Sequence, residues 1–296
     1  MLTWPVALAL EGCAYALVAW SVPRGRPGAM AATAFSIAAF FLPIFVVAEP
    51  RIARAVVAFV GVLCVMRLVD LLRGARPGSL ARRLWFVVTP FDVRQASFSS
   101  SALDRRQAMA MVGYAVLTTL SVLALRRLPA SACASLLLAR WLVGALLCYA
   151  AADTLVAAIR VGYRLAGVVT PEIHRAPVLS RSIGEFWGER WNRPMHEWLS
   201  RHCFTPVARR CSPTLALAVA FVASTIIHGW MTFFGAGIRM AAVMAAFFLL
   251  QGLLVLVERA LGVARWSSVA AHSWTVVCVL GTSPLFVEPI LRVFGL

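Results

Sequence analysis

Eight stretches of this chain are each long and apolar enough to cross the hydrocarbon core of a bilayer, which takes about 20 mostly apolar residues in helical form. They are Leu2–Ser21, Ala29–Ala48, Ile52–Leu72, Ala108–Leu125, Ser131–Ile159, Thr214–Phe234, Ala241–Val257 and Val269–Phe294. Between lipid chains a backbone N–H or C=O finds no water, so a span must bond to itself as a helix or close into a barrel. No segment alternates with the period of two that barrel strands need, which leaves helices. A mean hydropathy of +0.83 with only 14% charged residues excludes an ordinary soluble domain, where about a quarter of the residues are charged. The expectation is an all-α polytopic membrane protein of about eight transmembrane helices, forming a single domain over 1–296. The fifth run is long enough to break near Asp153. The first has no basic leader and holds Glu11, so it reads as a retained span and not a cleaved signal peptide.

The net charge is +16, and all 28 basic residues are arginine. On a membrane protein such an excess reports topology before it reports a nucleic-acid partner, and none is expected here. Twenty of the arginines fall in loops that follow odd-numbered spans, six on the opposite side, and Arg67 and Arg140 lie within spans. That bias places the long loops on the cytoplasmic side and, with eight spans, both termini outside. The complete absence of lysine points to a GC-rich bacterial genome and so to a bacterial inner membrane. Seven cysteines are scattered with no Cys-x-x-Cys pair, which indicates neither a disulfide framework nor a zinc site, and no metal is expected.

Two polar stretches interrupt the apolar pattern. The first, 73–107, contains the patch "LWFVVTPFD" (Leu84–Asp92), too short to span and read as interfacial or re-entrant. The second, 160–213, is far longer than most loops without function, and its tryptophans argue against disorder. Within it "SIGEFWGERWNRPMHEWLSRH" (Ser182–His202) crowds three tryptophans, two histidines, an asparagine and a proline together. On a helix, Trp187, Trp191, Met195, Trp198 and His202 would share one broad face and the charged residues the other. That is an amphipathic helix suited to the headgroup level. Pro194 should kink or break it, because its ring crowds the carbonyl of Arg190, with Asn192 and His196 projecting to the same side. Membrane anchoring alone would explain the tryptophans, but not the asparagine and histidines among them.

The sixth run, "TLALAVAFVASTIIHGWMTFF", places His228 about two thirds of the way along a span. An ionisable side chain at that depth is costly, and is by default a candidate for function. Its neutral imidazole can act as a base, with Ser224 and Thr225 one turn back and Gly229 leaving room for close approach. Arg67 and Asp70, three apart, should neutralise each other, while Arg140 and Asp153 could pair with other spans or line a polar cavity. His174 and His272 read as surface histidines.

The aromatic-asparagine segment followed by one deep histidine resembles the membrane-bound O-acyltransferase superfamily. "SIGEFWGERWN" (Ser182–Asn192) is similar to its wax-synthase branch, and "WNRPMHEWLSRH" (Trp191–His202) to the motif of diacylglycerol and sterol acyltransferases. The resemblance covers about 50 residues, 182–234. It implies His228 as general base, Asn192 as its essential partner, and a buried reaction chamber walled on the cytoplasmic side by the motif helix. Trp187, Trp191, His196 and Trp198 become candidate substrate-binding residues, with Arg190, Arg193 and Arg201, nearest the motif, for the phosphates of coenzyme A. Acyl-CoA is implied as co-substrate without a bound cofactor, and a hydrophobic alcohol as acceptor: a fatty alcohol, a lipid or a secondary metabolite. Gly229 departs from the glutamate that usually follows the histidine in wax-synthase relatives, which leaves the acceptor open. Asn192 could hold the imidazole tautomer or donate to the developing oxyanion. A different class, a proton-coupled transporter or flippase with His228 as relay, would call for inverted repeats and broken spans in matching halves, and the sequence has neither.

Overall fold

Proline in the first turn of a helix removes an N–H that would have no partner there, and Pro5 starts α1 (Trp4–Ser21) in this way. After a 3-10 turn at Val22–Arg24, Gly25 takes a positive φ of 72°, open to glycine at little cost, and the chain enters α2 (Gly25–Phe41). At the far end the Leu2 N–H donates to the Phe45 carbonyl at 2.9 Å, so α1 and α2 run as an antiparallel hairpin. The structure is a computed structural model that describes residues 1–74, 78–89, 91, 95–128 and 133–296. Ser131, the expected start of the fifth run, lies outside the described residues. So do Pro90 and Asp92 of the short apolar patch and Arg76 and Arg94 of its loop.

The chain divides into two compact units. The first comprises Met1–Arg94, Gly229–Ala241 and Val293–Gly295. There α3 (Arg51–Leu72) packs on the hairpin so closely that a Cβ on Gly61 would lie 2.7 Å from the Ala39 carbonyl, the kind of approach that small residues permit between membrane helices. Arg67 meets Asp70 at 3.2 Å, as the spacing predicts, and also bonds the carbonyls of Thr89 and Phe91. The patch Leu84–Thr89 belongs largely to α4 (Leu80–Val88), capped by Ser79. This helix turns Phe86 and Val87 into the core formed by Tyr15, Val18 and Leu68.

The second unit comprises Gln95–His228, Ala242–Arg292 and Leu296. Two-residue strands β1 (Ser97–Phe98) and β2 (Val168–Val169) pair antiparallel and join the segment before α5 (Arg105–Leu125) to the one after α6 (Ala134–Leu165). The fifth run does not break at Asp153: α6 is continuous through it, because Asp153 is satisfied within the unit by His174 at 2.6 Å. Arg140, 2% exposed, donates to the Leu296 carbonyl at 2.8 Å and faces Glu288 at 3.8 Å. The loop beyond α6 carries the short helices α7 (Ile183–Glu185), α8 (Arg193–Leu199) and α9 (Thr205–Ala208). Helices α10 (Pro213–Ala236) and α11 (Ile238–Leu261) follow, joined through Gly237 at φ 84°. Finally α12 (Ser268–Thr282) and α13 (Pro284–Phe294) form one pair bent by 43° at Pro284.

Among the described residues, six helical runs are long and apolar enough to cross a membrane, or seven if the bent pair is one span. The first of them, Trp4–Phe45, is the α1–α2 hairpin and not one straight rod, so the six or seven stand against the about eight that the sequence suggested. The protein is an integral, multi-pass, all-α membrane protein.

Candidate active site

Ser182 accepts a bond from the Glu185 N–H at 2.8 Å, and Glu185 reaches back to the Arg181 N–H at 2.6 Å, a close variant of the Ser-x-x-Glu capping box. The two remaining donors at the start of α7, Ile183 and Gly184, give their N–H groups to the carboxylate of Glu258 on α11 at 2.6 and 2.7 Å. A helix end that would otherwise bury free N–H groups is thus closed by a residue 75 positions away.

The chain then widens into a π turn, Phe186–Arg190, with the Trp191 N–H bonded to the Phe186 carbonyl at 2.8 Å. It does not continue as one helix. Asn192 sits in the left-handed region at φ 42°, which asparagine tolerates better than most residues with a Cβ. Of the kink or break expected at Pro194, the chain makes the break, and makes it two residues earlier. Pro194 occupies the first turn of α8, where its missing N–H costs nothing. The Arg190 carbonyl, which a continuous helix would press against the proline ring, instead accepts the Arg175 N–H at 2.9 Å, and the Arg193 N–H bonds the Ile173 carbonyl at 3.0 Å.

Two aromatic anchors hold the broken motif. Trp191 stacks on His174 at 4.5 Å and on Phe186 at 5.7 Å, and His174 is pinned by Asp153. Trp187 donates its indole N–H to Gln251 at 3.0 Å, and Gln251 in turn donates to Thr282 at 2.7 Å, tying motif, α11 and α12 together. His174 and His272, both expected at the surface, are engaged by the fold instead. The His174 side chain is largely buried against Asp153, and Nδ1 of His272 lies 2.9 Å from the Ser180 carbonyl.

These elements surround a cavity of about 930 Å³. Its walls are mostly apolar, drawn from α5, α6, the motif, α10, α11 and the α12–α13 pair. Of the residues the sequence nominates, Trp187, Trp191, Asn192, His196 and His228 all line it. Trp198, Arg190 and Arg193 do not. Trp198 lies against His202 at 5.0 Å. Arg190 is committed to Glu185 at 2.6 Å and to the Arg175 carbonyl, and Arg193 faces Glu172 at 3.7 Å. Sequence reasoning missed Glu258, Gln251, His174 and Arg259, the last of which also lines the cavity. Only Gln251 carried a signal, as a polar residue within an apolar run.

The His228 ring packs on Phe248 at 4.1 Å, and its Nδ1 lies 2.9 Å from the Ser224 carbonyl. The Ser224 carbonyl can only accept, so this contact is a hydrogen bond in the tautomer with the proton on Nδ1, which leaves the Nε2 lone pair for another partner. Among the described residues no group of three or more His, Cys, Asp or Glu side chains is placed to hold a metal.

Outside the spans, burial holds the His196 imidazole below its ordinary 6.5, leaving the wall beside it uncharged near neutrality. Burial would raise Glu185, but the Arg181 N–H and the Arg190 guanidinium outweigh it and hold that carboxyl below its ordinary 4.5. Both shifts act in one direction. As pH falls through 6.5 and then 4.5 the unfolded chain takes up protons before the folded one, so acid destabilises the motif. Limited proteolysis within 182–200 is expected to accelerate across that window; a rate flat with pH, for a protease corrected for its own pH dependence, would contradict it.

The family model described as "MBOAT, membrane-bound O-acyltransferase family" matches residues 110–270. A diacylglycerol O-acyltransferase 1 of Arabidopsis thaliana is 40% identical over 50 residues, 17% of this chain and 9% of that protein. Two Arabidopsis proteins named probable long-chain-alcohol O-fatty-acyltransferases, 7 and 2, are 31% identical over 35% of this chain and 34% of theirs, and 29% identical over 43% and 41%. The chain thus matches less than half the length of each of these relatives.

Proposed function

This chain belongs to the membrane-bound O-acyltransferase family, and from that premise we propose that it transfers an acyl group from acyl-CoA to the hydroxyl of a hydrophobic acceptor. The observation that carries the reading is the imidazole of His228, whose Nδ1–H is held by the Ser224 carbonyl so that Nε2 can accept a proton inside an apolar cavity. A hydroxyl is a weak nucleophile near neutral pH. Nε2 takes its proton as the oxygen attacks the thioester carbonyl. The tetrahedral intermediate then collapses, the C–S bond breaks, and the imidazolium returns the proton to the departing thiolate. Ester and free coenzyme A leave, and no covalent enzyme intermediate forms. Asn192 is assigned the donation of its amide N–H to the oxyanion, a reading supported by the Ser224 carbonyl lying within hydrogen-bond distance of His228 Nδ1.

The acceptor proposed is a fatty alcohol or a lipid hydroxyl, with tailoring of a hydrophobic secondary metabolite as the same chemistry on another alcohol. A cavity of about 930 Å³ with apolar walls suits lipid-sized ligands. The arginine bias favours a cytoplasmic motif loop. A bacterial membrane rests on the lysine-free composition alone, the relatives named above being plant proteins. The transporter alternative has no observation in its favour.

Coenzyme A release from the purified protein in detergent tests the proposal, with donors from acetyl-CoA to palmitoyl-CoA and mixed long-chain alcohols and diacylglycerol. Acceptor-dependent release is expected for long-chain donors. Release that does not depend on any acceptor, or ester products absent by mass spectrometry, would overturn it. Asn192→Gly keeps the left-handed backbone at little cost and deletes only the amide. It is expected to lower kcat about 100-fold with an unchanged unfolding temperature, in line with the loss of one oxyanion donor. Asn192→Ala should lose stability as well. Full activity in the glycine variant would remove the amide from the chemistry.

A further inference from the structure

Arg259 is the only arginine, aspartate or glutamate among the described residues lining the cavity. Its guanidinium makes no hydrogen bond or ion pair with the described residues, whereas the neighbouring Glu258 carboxylate is spent on the N–H groups of Ile183 and Gly184. Of Arg190, Arg193 and Arg201, the arginines that the motif nominates for phosphate, none lines the cavity, and the first two are engaged with Glu185 and Glu172.

Its distance from the reacting centre is set by α11. Phe248 touches the His228 ring, and Arg259 follows eleven residues later on the same unbroken helix. Eleven residues make about three full turns, so the two side chains leave α11 within about 20° of each other, and ~16 Å apart along its axis. Val255, between them in phase, lines the cavity too. A phosphopantetheine thioester carries its sulfur and its phosphorus roughly thirteen bonds apart, which is ~15 Å at the advance per bond of an extended chain. The helix therefore separates a free cation from the base by the length of one pantetheine arm.

We propose that Arg259 binds the phosphate at the far end of a phosphopantetheine thioester whose carbonyl lies at His228. The proposal rests on the acyltransferase reading and adds to it the residue that recognises the donor and the length it measures. Arginine suits the task, because its planar fork of donors matches phosphate oxygens. The phosphate could belong to coenzyme A or to the phosphodiester of an acyl carrier protein; in both it ends the same arm.

The experiment uses the full chain in detergent, with one long-chain alcohol and four palmitoyl donors: coenzyme A, carrier protein, 4′-phosphopantetheine, and pantetheine, which lacks the phosphate. Arg259→Gln is expected to raise KM at least tenfold for the phosphorylated donors with kcat little changed, the pattern of lost uniform binding. It should leave KM for palmitoyl-pantetheine as in the wild type, and Arg259→Lys should recover part of the loss. A lower wild-type KM for the carrier-protein donor than for palmitoyl-CoA, erased in Arg259→Gln, keeps the contact and identifies its phosphate as the phosphodiester; the reverse identifies coenzyme A. Equal loss with all four donors would make Arg259 merely structural, and no loss with any would put the phosphate elsewhere; either overturns the proposal. Turnover of palmitoyl-pantetheine by the wild type, lost in His228→Ala, tests the acyltransferase reading separately, since that donor never meets Arg259.

Discussion

Replacing His228 with alanine is expected to lower acceptor-dependent coenzyme A release by 100- to 10,000-fold, roughly the contribution of a positioned general base. The geometry explains why no neighbour should substitute. Nδ1 lies 2.9 Å from the Ser224 carbonyl, which favours the tautomer with the proton there, and Phe248 packs on the ring at 4.1 Å. The other cavity-lining histidine, His196, stands on α8, and among the described residues no hydrogen bond ties its imidazole to α10. His228→Gln keeps a polar group of similar size that can donate and accept hydrogen bonds but cannot take up a proton near neutrality. It should be as inactive as alanine, with an unfolding temperature close to wild type. Equal release by wild type and both variants would remove His228 as the base.

The second large effect is expected at Glu258. Truncation to alanine leaves the N–H groups of Ile183 and Gly184 without their acceptor in a buried setting, where Glu258 itself is 6% exposed. Hydrogen bonds to a charged partner contribute about 1.5–3 kcal/mol each, so a loss on the order of 3 kcal/mol is expected. For a chain of this size that is a fall of roughly 5–10 °C in unfolding temperature. The same loss frees the start of the segment that carries Trp187, Trp191 and Asn192 into the cavity, so kcat should drop tenfold or more though no reacting atom is touched. Glu258→Gln can accept from one N–H but turns an amide N–H toward the other, and should recover less than half. The decisive reading is hydrogen exchange at the amides of 183–185: unchanged protection in Glu258→Ala would show that the carboxylate does not hold the motif.

Part of this site is legible in the order of residues because it depends on local chemistry. The deep histidine stands out in "TLALAVAFVASTIIHGWMTFF" since an ionisable group is costly there wherever its partners lie. Arg67 and Asp70 can be paired because three residues on a helix bring side chains together without help from the rest of the chain. The tryptophan-asparagine segment is conspicuous by composition. Its shape is not: a single amphipathic helix is the natural reading of its spacing, and what replaces it is a capped turn, a π turn and a break at Asn192. That break needs partners for the Arg190 and Arg193 backbone groups, and Ile173 and Arg175 provide them from an earlier part of the loop.

The arginines show the same boundary. Counted along the sequence, Arg190 and Arg193 look available for phosphate because they flank the motif. In the fold they are engaged by Glu185 and Glu172, while Arg259, inconspicuous at the end of an apolar run, lines the cavity. Asp153 and His174, 21 residues apart, look like a helix break and a surface group, and instead form one largely buried pair beneath Trp191.

Transfer free energy and helical periodicity act over a few turns, so the residues in order suffice to make this chain a helical membrane protein, to single out the histidine deep in its sixth apolar run and to mark the short segment that precedes it. Which charges are spent on packing and which remain for a ligand is settled only by the folded chain. A carboxylate such as Glu258 finds its partners by distance in space, and the 75 residues between it and Ile183 leave no trace of that pairing in the pattern of either.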